Sequence, residues 1–98
     1  MRFWVYIILC GDGSYYVGHA NDLERRMKEH DDALLYSYTA ERKPLQLVFA
    51  ENVPSVGDAI EREKQLKGWS RAKKAALIEA KWEQVSALAK GKHQWQRD

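Results

Sequence analysis

A single cysteine, Cys10, excludes an internal disulfide and alone supplies no metal cluster, so a reducing cytoplasm is the expected compartment. No apolar run is long enough to span a bilayer. There is no internal repeat and no low-complexity linker. The charge excess is also small: 16 basic against 14 acidic side chains leave a net charge of +2. A balance that slight does not by itself mark a nucleic-acid binder. The apolar start, residues 1–10, holds Trp4 and Tyr6 and runs into Gly11-Asp12-Gly13-Ser14 rather than a small-residue cleavage site. It is read as a strand, not a signal peptide.

What is present describes one soluble globular domain. The 98 residues suffice for a single core, with 45% apolar and 31% charged side chains. Phe3, Val5, Ile7 and Leu9 alternate with Trp4, Tyr6, Ile8 and Cys10, so both faces of the first strand are apolar and a central strand is expected. The Gly11–Ser14 stretch is a tight turn, lacking the later carboxylates of a calcium loop, and Tyr15–His19 returns as a hairpin strand. Asn21 with Glu24 reads as a capping box opening a helix over about residues 22–31. A polar connection over residues 31–43 holds Tyr36, Tyr38 and Thr39, and Pro44 starts a third strand through Ala50. Ser55 caps a second helix that ends in a left-handed Gly68, and Ser70 restarts helix for residues 71–80, which residues 81–90 continue or follow with another. The end, Gly91–Asp98, is polar and loose. This order implies an α+β sandwich of a small mixed sheet with helices packed on it.

Two charges break the apolar stripes. Leu23, Arg26, Met27 and His30 share one face of the first helix, and Val56, Ala59, Ile60, Glu63 and Lys67 share one face of the second, with Leu66 flanking. Charges turned toward a core need partners. Either Arg26 and Glu63 form an ion pair joining the helices, or they grip a phosphate and a hard cation. Tyr6 and Tyr16, on neighbouring strands, are read from spacing as packing residues; near a metal and an arginine a phenol could act as a base toward water. His19, His30 and Glu63 lack the spacing of a zinc site, and Cys10 is a core residue rather than a nucleophile. Residues 61–74 concentrate six basic side chains around Trp69, a patch that suits either phosphate contacts or a solvated helical face.

Val5-Tyr6, then Tyr16-Val17-Gly18, then Asn21–Arg26 and His30, resembles the GIY-YIG nuclease domain. Tyr38-Thr39 before Arg42-Lys43-Pro44-Leu45, and the run Arg62–Lys74, are similar to its small stand-alone UPF0213 branch. The resemblance covers roughly residues 2–80. It implies a GIY-YIG-like domain over residues 1–80, with residues 81–98 adding a C-terminal helix and polar tail to the same domain. The implied fold has a three-stranded antiparallel sheet flanked by helices. The implied activity is phosphodiester hydrolysis in DNA with one divalent metal, magnesium or manganese. Carried over, Glu63 is the metal ligand and Arg26 stabilises phosphate charge. Tyr6 and Tyr16 shape the site, one of them activating or orienting the attacking water, and His30 assists proton transfer. His19, Lys64, Lys67, Arg71 and Lys74 are the expected nucleic-acid contacts. The expected partners are DNA and a protein for target choice, with no membrane; oligomeric state stays open. The alternative function is a non-catalytic nucleic-acid-binding or DNA-repair accessory module. Two departures stand out: Trp4-Val5-Tyr6 lacks the first-motif glycine, and His19 follows Gly18 where repair relatives carry lysine or arginine. The added DNA-binding domain of homing and repair relatives is not expected here.

Overall fold

The first strand, β1 (Phe3–Leu9), has no polar face to turn to solvent, and the fold answers by placing it in the middle. In the computed structural model, which describes residues 3–32 and 37–92 and the side chains of 3–32 and 38–81, the sheet order is β2-β1-β3. β2 spans Tyr15–Ala20 and β3 spans Gln46–Val53. Both pair antiparallel with β1: Tyr6 faces Gly18 on one side and Ala50 on the other, with a register shift after Ile7 on the β3 side. The sheet is therefore wholly antiparallel rather than mixed. β2 and β3 run the same way, but β1 separates them.

Period-two alternation divides the core into two layers. Tyr6, Ile8 and Cys10 pack with Leu23 and Met27 of α1 (Leu23–Asp31). Val5, Ile7, Val17 and Phe49 pack with Ala59 and Leu66 of α3 (Val56–Lys67), flanked by Leu77 and Ile78 of α4 (Arg71–Lys92). Val5, Tyr6, Ile7 and Ile8 are all fully buried, which makes β1 the common wall of both layers.

Local signals set most element ends, with some offsets. The β1–β2 turn closes through Cys10 N–H to Ser14 O at 2.8 Å, with Gly13 at φ +88°, a conformation that favours glycine. Asp22, not Asn21, caps α1, its carboxylate accepting from Arg25 N–H at 3.0 Å. Asn and Asp cap almost equally well, so the adjacent pair left a one-residue ambiguity. Ser55 caps α3 by accepting from Asp58 N–H. Gly68 ends α3 in right-handed geometry (φ −82°) rather than left-handed, because its N–H still bonds back to Lys64 and Gln65. Ser70 Oγ then accepts from Lys73 N–H as α4 begins. That helix is continuous through residue 80 to Lys92, taking in Gly91 of the expected loose end. A short helix the sequence did not announce, α2 (Ser37–Ala40), sits in the polar connection, and β3 begins at Gln46, since Pro44 has no N–H for the ladder. Tyr36 and residues 93–98 lie outside the described residues.

The orientation of α3 also departs from the expected stripe. Ala59 and Leu66 are its buried residues, while Val56 and Ile60 remain 46% and 47% exposed. Glu63 therefore sits at the boundary of the packed face. Leu66→Ala is expected to cost about 2–5 kcal/mol of stability and Ile60→Ala under about 1 kcal/mol, measured by urea unfolding. Equal costs would contradict this orientation.

Candidate active site

The site begins where β1 pairs with the edge strand β2. Gly18 stands opposite Tyr6, and a Cβ there would lie 2.6 Å from the Tyr6 hydroxyl and 3.2 Å from the Tyr16 ring. The missing side chain leaves room for the fully buried Tyr6 phenol against the backbone of the edge strand. Tyr6 Oη lies 2.8 Å from His30 Nε2, and His30 Nδ1 lies 3.0 Å from Thr39 Oγ1. Tyr16 closes the cluster, with its ring centroid 5.2 Å from His30 and 6.4 Å from Tyr6. His30 and Thr39 are buried, so strand, helix and the short α2 meet in one hydrogen-bonded chain. Burial chiefly, then the Arg26 charge, pushes the His30 pKa down to about 4 against the pull of Glu29, and the ring is neutral near pH 7.

A cleft opens beside this cluster. Tyr6, Tyr16, Gly18, His19, Arg26, Glu63 and Lys67 line it, with Phe3 and Val56 as apolar wall. Tyr16 and Gly18 belong to one sheet face and His19 to the other. They reach one cleft because β2 is an edge strand, around which side chains from both faces converge. The Arg26 guanidinium donates to the His19 carbonyl at 3.0 Å and to Glu29 at 3.2 Å. His19 Nδ1 donates to Glu63 Oε1 at 2.5 Å, and Lys67 Nζ lies 2.6 Å from Oε2. Both carboxylate oxygens are thus taken, and the Arg26–Glu63 pair considered from the sequence does not form: each has a different partner. Burial raises the Glu63 pKa, but hydrogen bonds from His19 and Lys67 and their charge outweigh it, leaving the carboxyl below its ordinary range.

Residues 2–76 match the family described as the GIY-YIG catalytic domain. The chain belongs to the GIY-YIG family. Within it, the chain is similar to UPF0213 proteins: one from Staphylococcus saprophyticus is 40% identical over 79% of this chain and 94% of its own length. Another, from Bacillus subtilis, is 40% identical over 78% of this chain and 77% of its own. The solution structure of a UPF0213 protein from Bacillus halodurans is similar at TM-score 0.56 and 39% identity, covering 84% of this chain and 87% of that one. A solution structure from E. faecalis is similar at TM-score 0.58 and 28% identity, covering 82% and 85%.

In this GIY-YIG chain His19 and His30 serve different neighbours. His30 turns to Tyr6 and Thr39, and His19 turns to Glu63 across 44 residues of sequence. At the position of the first-motif glycine, Trp4 packs partly buried against the Tyr6 cluster. Of the expected nucleic-acid contacts, His19 and Lys67 line the cleft. Lys64 is exposed on α3, while Arg71 stacks over Tyr15 at 4.5 Å and Lys74 is half-buried, and none of these three contributes to the lining. Periodicity does not single out Thr39 as a site residue, because a threonine in a polar connection carries no periodic signal. Glu63 suits a hard cation of the magnesium kind, which takes one or two carboxylates and keeps several waters. It is ionised, faces the cleft, and already holds a cationic nitrogen on its outer oxygen. No helix among the described residues is long and apolar enough to cross a membrane.

The His30 environment fixes a pH dependence. Unfolded, the imidazole takes a proton below its ordinary 6.5; folded, it resists until about 4. Stability contributed by this site is complete above pH 6.5 and falls as pH drops toward 4, by roughly 2–3 kcal/mol. Urea midpoints measured across that range are expected to fall with acid, and His30→Gln to flatten the slope. An equally steep slope in the variant would assign the effect to other groups.

Proposed function

We propose that this protein is a divalent-metal-dependent endonuclease that hydrolyses phosphodiester bonds in DNA. The observation that carries this reading is the single cleft that Tyr6, Tyr16, Arg26 and Glu63 line from four different elements. Membership of a nuclease family whose members generally use a divalent metal supports it further. Glu63 would hold magnesium or manganese. When bound, such a cation polarises the scissile phosphate and offsets charge developing on it.

The remaining chemistry falls to the chain. Arg26, already anchored by Glu29 and the His19 carbonyl, presents its planar fork to a phosphate oxygen. Tyr16 is partly exposed and lines the cleft, so its oxygen orients the attacking water and, as phenolate after releasing its own proton to solvent, takes the proton of that water. Tyr6, fully buried, acts from behind. Its hydroxyl shares a hydrogen bond with neutral His30, which fixes the phenol in place and holds the aromatic wall rigid. Lys67 and His19 add positive and hydrogen-bonding character along the phosphate path. Nucleic acid, DNA first, is the partner.

Supercoiled, single-stranded and branched DNA incubated with the protein in magnesium or manganese is the direct test. Cleavage is expected, with Glu63→Ala and Arg26→Ala each lowering its rate by roughly 100-fold or more while the fold is retained. Cleavage that persists unchanged in Glu63→Ala overturns the reading. DNA binding without any cleavage would identify an accessory module that keeps the phosphate-gripping face. Affinity is expected to fall linearly on a log scale with salt, and a flat response would contradict phosphate contacts.

A further inference from the structure

We propose that Lys67 is a built-in counter-cation of Glu63 that holds the metal position closed until a phosphate draws it away. The inference rests on the reading of Glu63 as the cation ligand. Glu63 is 17% exposed and each of its oxygens already has a protein donor, so an incoming cation competes with those donors for the carboxylate. The two donors differ. His19 Nδ1 belongs to a ring on β2, itself held beside Arg26 through its own carbonyl. Lys67 is 56% exposed, sits in the last turn of α3, and reaches Oε2 on a flexible four-carbon stem. The lysine is the partner that leaves.

Its destination is in the same cleft. Lys67 and Arg26 both line it, so a substrate phosphate entering between them offers the ammonium a replacement anion. Releasing Lys67 bares Oε2 and removes a positive charge that repels a divalent ion. Phosphate binding and cation binding then favour each other, and by linkage the factor is the same in both directions. A free protein with a weak cation site and a substrate complex with a strong one follow from this exchange of partners. Lys67 is a positioning residue for the cation in this scheme and a phosphate contact once released.

Manganese binding to the free protein, read by electron paramagnetic resonance of unbound Mn2+, separates this gate from the proposed activity. Lys67→Met is expected to bind Mn2+ roughly fivefold more tightly than the wild type, the factor a partly exposed ion pair commands. Lys67→Arg, which keeps the charge, is expected to restore weak binding. A non-cleavable phosphorothioate oligonucleotide should tighten Mn2+ binding in the wild type and do so less in Lys67→Met. Binding that Glu63→Ala abolishes but Lys67→Met leaves unchanged or weakens overturns the gate alone. Absence of Glu63-dependent binding in every form, oligonucleotide included, overturns the gate and the metal reading together.

Discussion

Gly18 sets the dimensions of the site. With no Cβ on the edge strand at that point, Tyr6 can lie fully buried across from it, its hydroxyl within 2.6 Å of where a side chain would begin. Everything near the cleft is referred to that contact. Tyr6 fixes His30, His30 fixes Thr39 and ties α1 to α2, and Tyr16 covers the cluster from its neighbour strand. A strand glycine normally weakens a sheet; here the aromatic ring takes the space the missing side chain leaves.

Environment drives two titratable groups in the same neighbourhood to opposite ends. His30, sealed among aromatic rings, stays neutral down to about pH 4 and serves as a hydrogen-bonding strut. Glu63, at the edge of the packed face of α3, stays ionised because two donors outweigh the cost of its burial. Neutral behind and charged in front suits the proposed phosphate site: a dry wall would hold geometry and an ionised group would receive a cation. The edge position of β2 makes this possible, since only at an edge do residues from opposite sheet faces share one cleft.

Much of this was legible in the residues. The double alternation of β1 announced a central strand, and the family motifs announced an antiparallel sheet and pointed to Tyr6, Tyr16, Arg26 and Glu63, which line one cleft, and to His30, which bonds Tyr6 beside it. Periodicity correctly marked Arg26 and Glu63 as charges near a packed face. It could not tell that they would find different partners, because spacing along one helix says nothing of its rotation against another element. The same blindness put Val56 and Ile60 on the buried stripe beside Ala59, when the helix turned to bury Ala59 and the flanking Leu66 and left those two exposed. The His19–Glu63 contact, 44 residues apart, and the Thr39 end of the hydrogen-bonded chain arise from tertiary packing and leave no local trace.

The central claim is that a divalent cation is received at Glu63 inside this cleft. Titrating Mn2+ into isotope-labelled protein, with a non-cleavable oligonucleotide present, and recording paramagnetic broadening of the amide resonances tests it most directly. The account predicts loss of signal centred on Gly18, His19, Glu63 and Lys67, and its disappearance in Glu63→Ala. Broadening centred instead on Arg71 to Lys74, or unaffected by Glu63→Ala, would contradict it.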